Sequence, residues 1–357
     1  MKKRILLVHT GGTIGSAFDK EKQCRVLAPG LADMTLLKRF MADTNATQEE
    51  IESLFGDSGL DEKNRTFSEN MTYHKLDMIL RNISTKNINN YCGIIVLHGT
   101  DTLAYTSSLF SFVFSDTDIP IMMVSGNRPP DDAKSNANIN FQTAVRLILE
   151  GIAPNVYVPY KNADGKMWLH IGSATMQSPN YSEDFLCVSD RKSFCLNDAD
   201  LSEVFSKCLE LSGNRKKLPF ELKNSELIDN GVLMILPYTG MDYAHYNLDG
   251  VKAIIHGSYH SGTVCVERNS EADEYNSNSL LWLADECDRR KIPIFVAPSK
   301  LTTDQYSSVF DLVKNSSAKL LDMTTESAYA KLLLAISCGY ENLSEYMYME
   351  ISNEIIG

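Results

Sequence analysis

The 357-residue chain is 43% apolar and 22% charged, an ordinary globular balance with room for one large or two ordinary domains. Its formal net charge of −12 excludes the basic footprint of a nucleic-acid-binding protein and disfavours adsorption to anionic lipid, so neither partner is expected. No apolar run approaches the ~18–20 residues of a membrane span.

Lys2-Lys3-Arg4 opens the chain like a signal peptide, but only Ile5–Val8 is apolar before His9 and a glycine pair. A secretory h-region needs roughly 7–15 apolar residues, so none is read here. The eight cysteines (Cys24, Cys92, Cys187, Cys195, Cys208, Cys265, Cys287 and Cys338) are scattered without a CxxC pair. They read as free thiols in a reducing compartment, and a cytoplasmic protein is expected.

Short apolar runs recur along the chain and predict strands at Ile5–Val8, Gly93–Leu97, Pro120–Val124, Val156–Val158, Val232–Leu236, Lys252–Ile255 and Pro293–Val296. Each closes in glycine, proline or small polar residues. Continuous rather than alternating hydrophobicity suits parallel strands covered on both faces. Helical stretches between them include Ala104–Val113, Asn138–Leu149, Ser279–Arg290 and Ser327–Ser337. The alternation predicts an α/β fold with two domains. A larger doubly wound, mainly parallel sheet is expected over 1–195, and a smaller parallel α/β domain over 229–357. The polar, lysine-rich interval between them, 196–228, reads as a linker or crossover. No internal repeat or low-complexity tract is present.

In an open parallel sheet, ligands bind beyond the carboxyl ends of the strands. Two strand ends stand out. The first is Ile5–Val8 followed by His9-Thr10-Gly11-Gly12-Thr13-Ile14-Gly15. The glycine pair allows close approach of backbone to a ligand, and Thr13 offers a hydroxyl at the loop edge. A glycine-rich turn with a capping threonine is the alternative. GxGxxG is absent, as is the Gly-Lys-Ser/Thr of a P-loop. The second is Gly93–Leu97 followed by His98-Gly99-Thr100-Asp101-Thr102 and an apolar helix. Asp101 serves either as a helix cap or as a functional carboxylate beside the Thr100 hydroxyl. His9 and His98 precede these loops, but no partner carboxylates recur at ligand spacing, so no metal is expected.

Thr10-Gly11-Gly12-Thr13-Ile14 and His98-Gly99-Thr100-Asp101-Thr102 resemble the two signature motifs of the bacterial asparaginase/glutaminase family, nearest its cytosolic type I branch. Phe67-Ser68-Glu69-Asn70-Met71-Thr72 is similar to the segment that holds the substrate carboxylate in that family. Val124–Pro129 is similar to the stretch after the next strand. Val251–Tyr259 and Asp322–Ser337 resemble the pieces that build the family's dimer, and Ile255–Gly262 would lie at that interface and close the neighbour's site.

The resemblance implies hydrolysis of the side-chain amide of L-asparagine to L-aspartate and ammonia. It also implies no cofactor, and a homodimer or a dimer of dimers. Thr13 would be the nucleophile and Thr100 part of a second threonine–acid group. Asp101 would bind the substrate ammonium, Ser68 its carboxylate, and Glu69 its amino group. Gly12 and Gly99 would bring backbone to the substrate, and the amides near Thr100 would donate to an oxyanion.

Three departures stand near the site. Gln177 occupies the position of the family's lysine, and no lysine occurs between Lys166 and Lys192. The loop tyrosine is absent, since the first tyrosine is Tyr73, and Arg25 falls nearest its place as a substrate contact. The usual Ser-Asp-Gly reads Ser135-Asn136-Ala137. They leave open an enzyme acting on another amide by hydrolysis or acyl transfer, or a silent amino-acid-binding homologue. Ala297-Pro298-Ser299-Lys300 lacks the cysteine of the branch's allosteric site, so allostery is not expected.

Overall fold

A computed structural model of the chain describes residues 4–28, 30–197, 200–222, 227, 231–269, 274–301 and 305–357. Lys2, Lys3 and residues 198–199, 223–226 and 228 of the expected crossover lie outside them.

The chain divides into two compact units. The N-terminal unit comprises residues 1–219, joined by 351–353 from near the C-terminus. Its elements run β1 (Arg4–His9), β2 (Ser16–Asp19), β3 (Cys24–Leu27), α1 (Leu31–Thr44), α2 (Gln48–Leu54), β4 (Phe55–Asp57) and α3 (Tyr73–Ser84). There follow β5 (Tyr91–Leu97), α4 (Leu103–Val113), β6 (Ile121–Val124), α5 (Ala137–Leu149), β7 (Val156–Lys161), β8 (Met167–Ile171), β9 (Ser193–Cys195) and α6 (Leu201–Gly213).

Seven strands form one sheet in the order β4-β1-β5-β6-β7-β8-β9. The pairings are parallel from β4 to β7, and β8 and β9 close the edge antiparallel. This is the mainly parallel sheet that the unbroken apolar runs predict. Ile94, Ile95 and Val96 of β5 are fully buried, as a central strand covered on both faces requires. Phe40 of α1, Phe55 of β4 and Phe141 of α5 meet with ring centroids 5.8–5.9 Å apart. They seal one face of the sheet, and each ring removes a large apolar area from water.

The unit boundary differs from the sequence expectation. The stretch read as a crossover carries α6, whose Val204 and Cys208 are buried in the core of the N-terminal unit. Leu201, Val204, Phe205, Cys208 and Leu211 recur at helical spacing and all pack on that core, which holds the helix there. The break between the units consequently falls at Pro219/Phe220.

The C-terminal unit comprises 220–350 and 354–357. It contains β10 (Val232–Ile235), β11 (Ala253–His256), β12 (Arg268–Asn269), β13 (Glu274–Tyr275), α7 (Leu280–Arg290), β14 (Ile294–Val296), α8 (Ser307–Asn315), β15 (Lys319–Leu320), α9 (Thr325–Ser337) and α10 (Leu343–Tyr348). A four-stranded parallel sheet, β10-β11-β14-β15, forms its centre. Inside it, Lys331 of α9 pairs with Glu354 at 2.8 Å, both fully buried, and the ammonium lies 4.9 Å from the Tyr346 ring centre. Removing either partner would strand a charge in the interior, at a cost of about 3–5 kcal/mol.

Candidate active site

The site grows from the carboxyl ends of β1 and β5, which pair in register from Ile5↔Gly93 to His9↔Leu97. Thr10 donates from its amide (3.1 Å) and its hydroxyl (2.8 Å) to the Leu97 carbonyl, carrying the pairing one residue past the strand. The chain then turns through Gly11 (φ +107°) and Gly12 (φ +73°). A side chain is excluded at both positions. A Cβ on Gly11 would stand 2.3 Å from the Thr66 carbonyl oxygen, and one on Gly12 only 2.2 Å from the Gly99 amide nitrogen. The glycines that precede the two threonines are therefore packed backbone against backbone.

A third segment locks in beside them. The Thr66 amide donates to the Thr10 carbonyl, and the Gly12 amide to the Thr66 carbonyl, both at 2.8 Å. This places Ser68, in the short 3-10 turn Ser68–Asn70, against Gly99, where a Cβ would meet the Ser68 Oγ at 2.4 Å. The buried Ser68 hydroxyl donates to Asp101 Oδ2 (3.0 Å) and accepts from the Asp101 amide (3.1 Å). Thr102 donates from Oγ1 to the Ser68 carbonyl (3.0 Å). Lys75, in the first turn of α3, donates to Thr66 Oγ1 (2.7 Å), bracing the segment from behind. Asp101 is thus a carboxylate held by a neighbouring loop, whereas the N-cap of α4 is Thr102.

His98 is fully buried. Its Nδ1 faces the Gly99 carbonyl at 2.8 Å and its Nε2 the Thr106 hydroxyl at 3.0 Å. Burial lowers its pKa to about 4, so the ring is neutral and fixes the loop through its two partners. Among the described residues, no group of three or more His, Cys, Asp or Glu side chains is placed to hold a metal.

A cavity of about 380 Å³ opens beside this junction. Thr100, Asp101, Asn127 and Gln177 line it together with the loop Ser178–Glu183. Buried Tyr160 and Phe185, in edge contact at 4.8 Å, also belong to its lining. Burial pushes the Tyr160 phenol up to about 12, so it stays protonated. Gln177 donates from Nε2 to the Asp101 carbonyl (2.5 Å), so this side chain reaches the loop that follows β5. Ser135-Asn136-Ala137 also has a local reason. Asn136 and Asn127 exchange amide hydrogen bonds (2.8 and 3.0 Å), tying two loops together at the rim.

The other expected contacts are placed differently. Thr13 is half-buried in the turn Thr13–Gly15, and neither it nor Gly12, Gly99 or Ser68 lines the cavity. Glu69 and Arg25 are exposed and also lie outside its lining. Arg25 stands in the β2–β3 hairpin opposite Phe18. It acts on Asp132, whose carboxyl is held below its usual range by the Lys134 amide first, then by Arg128 and Arg25.

Sequence reasoning did not single out Glu183. It accepts from Asn127 Nδ2 (2.8 Å) and faces Arg128 Nη2 at 3.8 Å. The turn-rich Ser-Pro-Asn-Tyr-Ser run after β8 was the available signal for a rim loop.

The asparaginase N-terminal family model matches residues 4–182, which is 179 of the 357 residues. The chain is 22% identical over 369 aligned residues to an L-asparaginase of Dirofilaria immitis, an alignment covering 98% of this chain and 59% of that protein. It is 28% identical over 303 residues to a glutamyl-tRNA(Gln) amidotransferase subunit of Methanococcus maripaludis, covering 81% of this chain and 68% of that one. The fold matches L-asparaginase I from Vibrio cholerae (TM-score 0.66, 21% identity) and the thermostable L-asparaginase from Thermococcus kodakarensis (TM-score 0.67, 20% identity), in each case over 99% of both chains. With the family model spanning half the sequence and both motif loops built against one another at the sheet edge, this chain belongs to the asparaginase family.

Proposed function

We propose that the chain is an amidohydrolase that cleaves the side-chain amide of L-asparagine to L-aspartate and ammonia, with Thr13 as nucleophile. The observation that supports this reading is the Gly12–Gly99 backbone contact, which packs the two motif loops against one another beside Ser68 and Asp101. The Thr13 oxygen attacks the amide carbon, the C–N bond breaks, and ammonia leaves with the proton it gains. Water then cleaves the acyl ester, restoring the hydroxyl and releasing the carboxylate.

Asp101, fixed by Ser68, suits the substrate ammonium; the Ser68 hydroxyl suits the carboxylate, and Glu69 is assigned a contact with the amino group. Amides near Thr100 would donate to the oxyanion, each worth about 3–4 kcal/mol of barrier. Thr100 orients the attacking water. Gln177 hydrogen-bonds but accepts no proton, so turnover is expected to be slow, since general acid–base catalysis is worth typically ~10²–10⁴ in rate.

The relatives' names include both an L-asparaginase and a tRNA amidotransferase component, so the molecule acted on differs among similar chains. Two further parts of the reading are a cytoplasmic setting, supported by eight cysteines free of disulfides, and a homodimer or dimer of dimers formed through 251–259 and 322–337. Ammonia release from asparagine and a panel of side-chain amides tests the activity. Thr13→Ala should lose at least ~10³-fold. Activity that survives the substitution would remove Thr13 from the role.

A further inference from the structure

The cavity beside Thr100 and Asp101 holds more than asparagine. Its 380 Å³ corresponds to about a dozen water molecules at ~30 Å³ each. Besides Thr100 and Asp101 its lining includes the aromatic pair Tyr160 and Phe185 and the Glu183 carboxylate. No lysine or arginine lines the cavity among the described residues.

Glu183 is held in place. Its loop closes on itself where Ser178 donates from Oγ to the Asp184 carbonyl (2.8 Å), and it is anchored where the Ala163 amide meets Asp184 Oδ1 (2.6 Å). Asn127 fixes one carboxylate oxygen of Glu183 at 2.8 Å. Its charge is only partly compensated. Arg128 stands 3.8 Å away and also pairs with Asp132 at 3.5 Å, so one guanidinium serves two carboxylates. The Glu183 side chain remains half exposed and open to a ligand.

We infer that Glu183 is a specificity-determining residue, which selects amides whose leaving amine ends in a second, protonated amino group on a short alkyl chain. The inference rests on the amidohydrolase reading. The acyl end occupies the Thr13–Asp101 junction, the alkyl spacer crosses the cavity, and the terminal ammonium meets Glu183. Cleavage is the same balanced hydrolysis: the C–N bond breaks, the diamine leaves with a proton, and water completes the carboxylate.

The test compares the β-aspartyl amide of putrescine with that of n-pentylamine, which matches its length without the charge. A half-exposed ion pair predicts a kcat/KM about five-fold higher for the diamine. Glu183→Gln should bring that ratio close to one, and Glu183→Lys should instead favour the amide of γ-aminobutyrate. Equal values for the two amides in the wild type, or a ratio that survives Glu183→Gln, would overturn the inference. The same ratio is read as Kd by calorimetry on Thr13→Ala, so the preference is measured even without turnover. Absence of all turnover would count against the amidohydrolase alone.

Discussion

Each unit ends a central parallel strand with the same device, yet the candidate site is built on only one of the two. In the N-terminal unit β5 leads into His98-Gly99-Thr100-Asp101; in the C-terminal unit β11 ends in His256-Gly257-Ser258-Tyr259. Both histidines are fully buried. Each sets its Nδ1 against the carbonyl of the following glycine, at 2.8 Å for His98 and 2.5 Å for His256. Each presents Nε2 to a hydroxyl, of Thr106 at 3.0 Å and of Tyr243 at 2.7 Å. Burial lowers both to about 4. The histidine is therefore a strand-end fastener, and the difference lies in what packs on the glycine. Gly99 meets Ser68 and the Gly12 backbone; Gly257 meets the side chains of Leu236 and Pro237. A polar loop junction makes a candidate reaction centre, and an apolar cover makes a turn.

The largest effect that would break this comparison is expected from paired alanines. Gly12→Ala puts a Cβ 2.2 Å from backbone at φ +73°, so the loops must separate. Loss of all measurable activity and about 3 kcal/mol or more of stability should follow. Gly257→Ala meets side-chain atoms at 3.0 and 3.1 Å and backbone only at 3.6 Å, and should cost about 1 kcal/mol. Chemical denaturation with parallel activity assays distinguishes the two, and equal costs would refute the distinction.

The next effect tests the shared fastener. Because each folded histidine titrates near 4 against an ordinary 6.5, the unfolded chain binds more protons between those values. The stability due to each neutral ring is complete above about pH 6.5 and declines as pH falls towards 4, by about 3 kcal/mol per histidine. Replacing His98 or His256 by Asn should flatten the fall of stability with pH by similar amounts. A variant whose pH slope matches the wild type would exclude that histidine from the account.

The smallest effect concerns the cation absent from the cavity. Gln177→Lys places an ammonium where the amide now reaches the Asp101 carbonyl. Turnover of asparagine should rise by at least ~10-fold, within the range of general acid–base catalysis. Unchanged or lower turnover would show that the glutamine suits the substrate this cavity takes.

The sequence by itself determined the strand cores, the two glycine–threonine loops and their place at the carboxyl edge. Unbroken apolar runs and glycine pairs are local signals, and local sterics fix what they do. The short edge strands Phe55–Asp57 and Ser193–Cys195 were not legible, nor was Met167–Ile171, whose antiparallel pairing joins the latter to the sheet. Nor was α6, whose apolar residues recur at helical spacing inside an interval read as polar and whose position depends on a core formed far away in sequence. Only tertiary structure decided that Gly12 meets Gly99, and that Ser68 rather than the helix holds Asp101. The same is true of Glu183 at the rim of the cavity that Thr100 lines. Those are contacts between residues many positions apart, and spacing along a chain carries no record of them until the sheet brings its strand ends together.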